Sequence, residues 1–276
     1  VTGIHRPVLR FHGGKWRLAD WIISHFPAHR IYVEPFGGAA SVLMRKPRCY
    51  SEIYNDRWDT VVNVFRVLRD PEKASRLAQL LELTPFSRTE FLETDPDSDD
   101  DVENARRIIY RSFAGFGSAS VNGGHATGFR ANSNRSYTTA AHDWANYPAH
   151  ITAFVERLKG VTIENRPAER VIENHDTPET LFYLDPPYVQ SSRNMRRGNA
   201  AYACEMTDDD HRALSIVVRS VQGMVVISGY RSGLYDELYR DWPCVEKVAL
   251  ADGARPRREV LWFSPNIDAQ QGRLAL

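Results

Sequence analysis

The sequence predicts an α/β fold: a mostly parallel sheet flanked by helices, closed by an antiparallel hairpin and interrupted by an inserted helical segment. Three observations carry that prediction. Short apolar strands alternate with amphipathic helices up to residue 69 and again from residue 151. Residues 70–150 show helices with no strand between them, and two strand-like runs near the end flank a cluster of arginines.

Taken in order, Lys15 to Phe26 carries Leu18, Ile22 and Phe26 on one helical stripe, and Pro27 predicts its stop. Ile31-Tyr32-Val33-Glu34 reads as the first strand, and Pro35 with Gly37-Gly38 turns the chain. Ala39 to Lys46 reads as helix and Glu52-Ile53-Tyr54 as the next strand, which completes a β-α-β unit of the kind that builds parallel sheets. A helix over Thr60 to Arg69 follows. Beyond Asp70, Ser98 reads as the N-cap of a helix presenting Val102, Ala105, Ile109, Phe113 and Phe116. Its first turn holds aspartates where the helix dipole favours them, so the acidic run Asp95 to Asp101 needs no metal. Gly117 to Tyr147, rich in Gly, Asn and Ser, is longer than a plain connection. Alternation resumes with Val161-Thr162-Ile163, Leu181 to Leu184, a Thr207-capped helix carrying Leu214, Val217, Val218 and Val221, and the strand Met224 to Ile227. Val245 to Leu250 and Glu259 to Phe263 form the hairpin. Residues 1–69 and 151–276 are thus expected to build one core, and 70–150 an insert.

In 276 residues, 35 Lys plus Arg balance 35 Asp plus Glu, which argues against coating nucleic acid by bulk charge but leaves room for a local basic groove. Arginines fall in three groups: Arg106, Arg107, Arg111, Arg130 and Arg135; Arg193, Arg196 and Arg197; and Arg255, Arg257 and Arg258. The last two groups lie in stretches without periodicity, as loops lining one groove would. Cys49, Cys204 and Cys244 are odd in number, far apart and lack Cys-x-x-Cys spacing. Neither a disulfide framework nor a metal site is expected, and a reducing cytoplasm fits. The absence of ~18 consecutive apolar residues, or of a charged then apolar N-terminus, predicts neither a membrane span nor a signal peptide.

The strongest chemical signal is Asp185-Pro186-Pro187-Tyr188, directly after an apolar strand; by composition it arises by chance in roughly one chain of this length in a thousand. A proline turn explains the prolines, but not the acid before them or the ring after them. Ligands of open parallel sheets bind outside the carboxyl ends of strands, where this tetrapeptide falls. The chemistry it suits is group transfer to an exocyclic amine whose lone pair is delocalised into a heterocyclic base. The Asp carboxylate and the first proline's carbonyl each accept one amine hydrogen and aim the lone pair. Orientation of this kind is worth about 7–11 kcal/mol. The proline pair keeps the carbonyl aimed, and Tyr188 is placed to stack on the base, worth about 1–3 kcal/mol. A paired base cannot present its amine this way, so the base must be single-stranded or flipped.

A second signal is Glu34-Pro35-Phe36-Gly37-Gly38 between strand and helix, where glycines let backbone approach a ligand. It is not the Gly-x-Gly-x-x-Gly of dinucleotide enzymes. Asp56, ending the second strand, is placed to grip ribose hydroxyls, with Glu52 as its competitor. A third signal is Phe11, then Gly13-Gly14-Lys15 before the first helix, a setting that can hold a carboxylate or phosphate.

The motif order Gly13-Gly14-Lys15, Glu34 to Gly38, long insert, Asp185 to Tyr188 resembles the Dam-like alpha-group DNA adenine methyltransferases over nearly the whole chain. The resemblance implies a Rossmann-like S-adenosylmethionine-dependent methyltransferase core with a helical and hairpin target-recognition insert acting on double-stranded DNA. It implies that Phe11, Gly13, Gly14, Lys15, Glu34, Pro35, Phe36, Gly37, Gly38, Asp56 and Asp185 serve the cofactor, and that Asp185, Pro186, Pro187 and Tyr188 hold a flipped adenine. Where many members carry an acid near the cofactor adenine, this chain reads Glu164-Asn165-Arg166-Pro167-Ala168, so no residue is assigned there.

Within the insert, Arg111, Arg130, Asn132, Asn134 and Arg135 carry donors for base edges and phosphates. Arg193, Arg196 and Arg197 are expected to close over the strand. The tetrapeptide alone leaves open a cytosine amine, an RNA substrate or a non-catalytic DNA-binding scaffold. Pro243-Cys244 matches the dipeptide of ring-carbon cytosine methylation, but leaves Asp185 to Tyr188 unexplained. No nuclease segment is read, so a partner restriction nuclease would be a separate chain.

Overall fold

The strands are β1 (Ile31–Glu34), β2 (Ser51–Asn55), β3 (Val161–Glu164), β4 (Thr180–Leu184), β5 (Met224–Gly229), β6 (Cys244–Ala251) and β7 (Arg255–Phe263). A computed structural model of the chain describes residues 3–11, 13–94, 98–115, 121, 128–131, 138–192, 202–251 and 255–267. Among these, the helices are α1 (Ala19–Ile23), α2 (Ser41–Arg45), α3 (Asp59–Arg69), α4 (Pro71–Leu83), α5 (Arg88–Glu93), α6 (Asp101–Ala114), α7 (Ala140–Ala145), α8 (Ile151–Leu158), α9 (Ala168–Asn174), α10 (Asp208–Ser220) and α11 (Gly233–Leu238).

The chain divides into two units. One comprises Arg17–Gly37, Lys46–Arg57 and Gly160–Leu276 and holds the sheet. Its strand order is β3-β2-β1-β4-β5-β7-β6, with the first five parallel and β7 antiparallel to both β5 and β6. The predicted α/β class, Rossmann-like with a closing antiparallel hairpin, is the class observed. β4 and β5 are buried along their whole length, which is why they read as unbroken apolar runs. Their side chains join Val171, Ile172, Leu214 and Val218 of α9 and α10 in one apolar core. The chain runs from β1 outward through β2 and β3, then returns to place β4 against the other side of β1. That reversal is the switch point at which open parallel sheets bind ligands.

The second unit comprises Val1–Trp16, Gly38–Arg45 and Trp58–Lys159. Here α3 packs on α6 and α4, and α8 packs on α3. Trp144 Nε1 donates to the Thr84 carbonyl (2.8 Å), and the Tyr147 hydroxyl to that of Val8 (2.7 Å). The Arg6 guanidinium lies 4.9 Å from the Phe113 and Tyr147 ring centroids and bonds Asp143. These contacts group the first residues and α3 with the helices, so the compact unit has wider bounds than the 70–150 insert expected for target recognition.

Several local expectations need correction. The first helix spans Ala19–Ile23 rather than Lys15 to Phe26. Arg45 takes the Trp16 carbonyl (2.8 Å) that a longer helix would use, and His25 and Phe26 close with tighter i→i−3 bonds. α2 begins after Ala40, whose φ of 52° is not helical. Asp100, not Ser98, caps α6: its carboxylate accepts from the Val102 (3.0 Å) and Glu103 (3.4 Å) amides, while Ser98 Oγ accepts from the Asp100 amide. Asp100 and Asp101 also pair with Arg76 and Lys73 of α4. Arg255, Arg257 and Arg258 lie on β7 rather than in a loop. The cap of α10 is as expected, with Thr207 and Asp210 forming a reciprocal capping box.

Among the described residues no helix is long and apolar enough to cross a membrane, and no cluster of His, Cys, Asp and Glu could hold a metal.

Candidate active site

In the sheet unit, parallel register brings the carboxyl ends of β1, β2 and β4 side by side: Glu34 lies opposite Tyr54, and Val33 opposite Phe182. Glu34, Asp56 and Asp185, expected from the sequence, are therefore gathered along one edge of one sheet. β4 stops at Leu184 because Pro186 and Pro187 supply no ladder donors, which leaves Asp185 partly exposed at the strand end.

The Asp185 carboxylate is not left to rotate. Ser228, fully buried on β5, donates through Oγ to Asp185 Oδ1 (2.8 Å), and the Tyr183 hydroxyl donates to Ser228 Oγ (3.1 Å). With Tyr183 as donor to the serine, the single serine hydrogen is directed at the carboxylate. Burial, with Asp185 nearby, holds the Tyr183 phenol protonated well above its ordinary range, which keeps that chain pointing one way.

Tyr188 is only 5 % exposed. Its hydroxyl donates to the buried carboxylate of Glu259 on β7, and its ring meets Tyr230 edge-on, with centroids 4.5 Å apart at 69°. Arg257 in turn lies over Tyr230, 5.9 Å from its centroid.

Glu34, buried, accepts from the Tyr32 hydroxyl (3.0 Å). The Gly37 amide donates to the Asn55 carbonyl (2.7 Å), and a Cβ at Gly37 would overlap the buried Tyr54 ring. Packing against β2 is therefore sufficient reason for that glycine. Asn55, also buried, donates through Nδ2 to the carbonyls of Pro35 (2.8 Å) and Arg166 (3.0 Å) and accepts from the Arg166 amide (2.9 Å). One side chain thus ties the end of β2 to the loops after β1 and β3. Asn165 Nδ2 donates to the Asp56 carbonyl (2.9 Å), so the Asn165 side chain binds the stretch beginning at Glu164 to the Asp56 main chain. Glu52 is spent elsewhere, paired in the interior with Lys46 (2.8 Å), which leaves Asp56 as the acid of β2's carboxyl end.

In the helical unit, Gly13 (φ 75°) and Gly14 follow Phe11, and Lys15 is buried with Nζ donating to the Gly13 carbonyl (2.7 Å). The Phe11 ring lies against Gly38, whose φ is 47°; a Cβ there would meet the ring at 3.1 Å. The second and third sequence signals thus meet at Phe11 and Gly38.

Of the expected DNA contacts, Arg111 donates to the Thr94 carbonyl (2.7 Å) and lies 5.3 Å from the Phe91 ring centroid. Arg106 is paired with Glu90 and Glu103, and Arg107 with Glu103, so part of the first arginine group braces α5 and α6. Arg130 is placed by its backbone: its amide donates to the Ala114 carbonyl (2.8 Å) beside a bridge between Gly115 and Phe129. Asn132, Asn134, Arg135, Arg193, Arg196 and Arg197 lie outside the described residues.

Sequence reasoning missed Asn55, Ser228 and Glu259. Each left a faint signal, a polar residue at the end of an otherwise apolar strand run.

A family model for D12 class N6 adenine-specific DNA methyltransferases matches residues 11–251. A search among curated proteins finds no match.

Proposed function

The chain belongs to the D12 class N6 adenine-specific DNA methyltransferases, and we propose that it moves a methyl group from S-adenosylmethionine to the exocyclic amine of an adenine flipped out of duplex DNA. Membership in an adenine-specific DNA family answers what the tetrapeptide leaves open between adenine and cytosine, and between DNA and RNA. The observation that carries the mechanism is the Asp185 carboxylate, set at the switch point of the sheet with one oxygen engaged by Ser228.

The donor set at these strand ends suits a nucleoside bearing a cationic sulfur. Asp56 is placed for the ribose hydroxyls, and Glu34, Pro35, Phe36 and Gly37 give a carboxylate and main-chain groups at the end of β1. The motif order adds Phe11, Gly13, Gly14, Lys15 and Gly38. When bound, S-adenosylmethionine supplies a methyl carbon activated by its sulfonium. Asp185 and the Pro186 carbonyl accept the two amine hydrogens, which takes the nitrogen lone pair out of conjugation and toward that carbon. The amine nitrogen would take the methyl carbon as the carbon–sulfur bond breaks and the sulfur leaves as a neutral thioether, and the amine hydrogen held by Asp185 would pass to solvent as a proton. Tyr188 stacks on the base. Labelled methyl transfer to unmethylated DNA, followed by nucleoside analysis, tests the reading; label recovered in any base other than adenine, or none recovered, refutes it.

Ser228→Ala removes the hydroxyl that fixes Asp185. The expected result is a kcat lower by about ten- to hundredfold, the worth of a hydrogen bond to a charged group, with cofactor affinity unchanged. Steady-state kinetics and calorimetric titration of the cofactor check the two parts separately.

For DNA we assign Arg111, Arg130, Asn132, Asn134 and Arg135 to recognition, and Arg193, Arg196 and Arg197 to the target strand. Arg130→Ala with Arg135→Ala is expected to weaken DNA binding and to lower the slope of log affinity against log salt by about one for each phosphate no longer neutralised. An unchanged slope and unchanged site preference would remove both residues from the interface.

A further inference from the structure

Glu259 presents a carboxylate where packing alone would favour an apolar side chain. It stands on β7 one residue before Val260, which pairs with Gly229 at the end of β5, and it is 3 % exposed. The three residues after it in the strand, Val260, Leu261 and Trp262, are buried and apolar, while Arg258 before it and Lys247 opposite it on β6 are exposed. Burying a carboxylate is costly unless its charge is met by hydrogen bonds, and an apolar residue of similar volume is often the more stable choice at such a position. Among the groups that meet Glu259 is the hydroxyl of Tyr188, which donates to it. Burial, with Glu259 and Asp185 close by, keeps that phenol protonated far above its usual range, so it remains the donor. The edge of Tyr230 then borders the Tyr188 ring. The ring is therefore restrained both at its hydroxyl and at its side.

We propose that Glu259 is a positioning residue for methyl transfer, holding Tyr188 by its hydroxyl so that the ring meets the target adenine in one fixed plane. The inference rests on the reading of Tyr188 as the stacking residue. An aromatic side chain hinged only at its Cβ samples a range of tilts, and stacking on a flipped base then orders the ring at the expense of binding; a preset ring avoids that cost. Because the same segment carries Asp185, a tilt of Tyr188 also shifts the base against the carboxylate that orients its amine. The antiparallel strand thus contributes to the reaction without touching the reacting atoms.

The test uses the 276-residue chain and four variants: Glu259→Gln, Glu259→Leu, Tyr188→Phe, and Tyr188→Phe with Glu259→Leu. Single-turnover methyl transfer is measured on duplex DNA, with fluorescence of 2-aminopurine at the target position reporting base flipping and stacking. Glu259→Leu is expected to slow transfer by about tenfold or more and to alter the 2-aminopurine signal, while leaving S-adenosylmethionine affinity unchanged. Glu259→Gln, whose amide oxygen still accepts from Tyr188, is expected to recover most of the rate. The double variant is expected to be no slower than Tyr188→Phe, because both remove the same hydrogen bond. If Glu259→Leu does not fold, the comparison of the double variant with Tyr188→Phe decides instead. Wild-type rates in Glu259→Leu, or a double variant much slower than Tyr188→Phe, overturn the inference. A native chain that methylates no adenine refutes the underlying reading, whereas an active native chain indifferent to Glu259 refutes this inference alone.

Discussion

Asp185→Ala is expected to methylate DNA at least about a hundredfold more slowly even when S-adenosylmethionine is saturating. The carboxylate accepts a hydrogen from an amine that becomes cationic as its bond to carbon forms, so the interaction strengthens toward the transition state. Removing a preorganised group of that kind typically costs about 10²–10³ in kcat. Asp185→Asn sharpens the test. An amide offers one acceptor oxygen where a carboxylate offers two, and Ser228 already donates at this position. The amide nitrogen would then face the substrate amine, donor against donor, and the variant is expected to be nearly as slow as Asp185→Ala. Rapid-quench methyl transfer with saturating cofactor measures both. Turnover within threefold of native in Asp185→Ala would remove Asp185 from the chemistry.

The parts of this site that were legible in the sequence share one property: they are local. Asp185 to Tyr188 announces itself because acid, prolines and ring are consecutive and follow an apolar strand. β4 and β5 were legible because burial on both faces leaves an unbroken apolar run. The residues that hold the tetrapeptide in place were not legible, since their partnerships depend on strand order. Ser228 reaches Asp185 across 43 residues, and Glu259 reaches Tyr188 across 71; both meet their partners because β5 lies beside β4, with β7 beside β5. The shorter α1 has the same origin, since the side chain that takes the Trp16 carbonyl is Arg45, 29 residues on. Where two local rules competed, the sequence could not arbitrate: Ser98 and Asp100 are both good cap residues, and Asp100 caps because α6 begins at Asp101.

Gly37 shows how a correct signal can have a different cause from the one it suggests. The glycine pair reads as room for a ligand, yet at Gly37 the space is already taken by the chain itself. Gly37→Ala is accordingly expected to destabilise the protein even with no ligand in solution. Its Cβ would overlap the Tyr54 ring and come 3.0 Å from the Asn55 carbonyl. Neither neighbour can yield easily, because Tyr54 is fully buried and Asn55 is fixed by bonds to Pro35 and Arg166. Overpacking of this kind costs about 1–3 kcal/mol, a fall in Tm of roughly 2–4 °C for each kcal/mol at this chain length. Displacing Tyr54 also moves the Asn55 hub and the turn that carries Asp56, so S-adenosylmethionine affinity is expected to fall together with Tm. Gly38→Ala is the control. Its cost is the positive φ of 47° and contact with the Phe11 ring, which is partly exposed and can swing aside; Ala40 already adopts a φ of 52° nearby. Gly38→Ala should therefore melt closer to the native chain than Gly37→Ala does. Melting curves of both variants without cofactor decide the matter: a Gly37→Ala protein as stable as the native chain would return that glycine to the ligand.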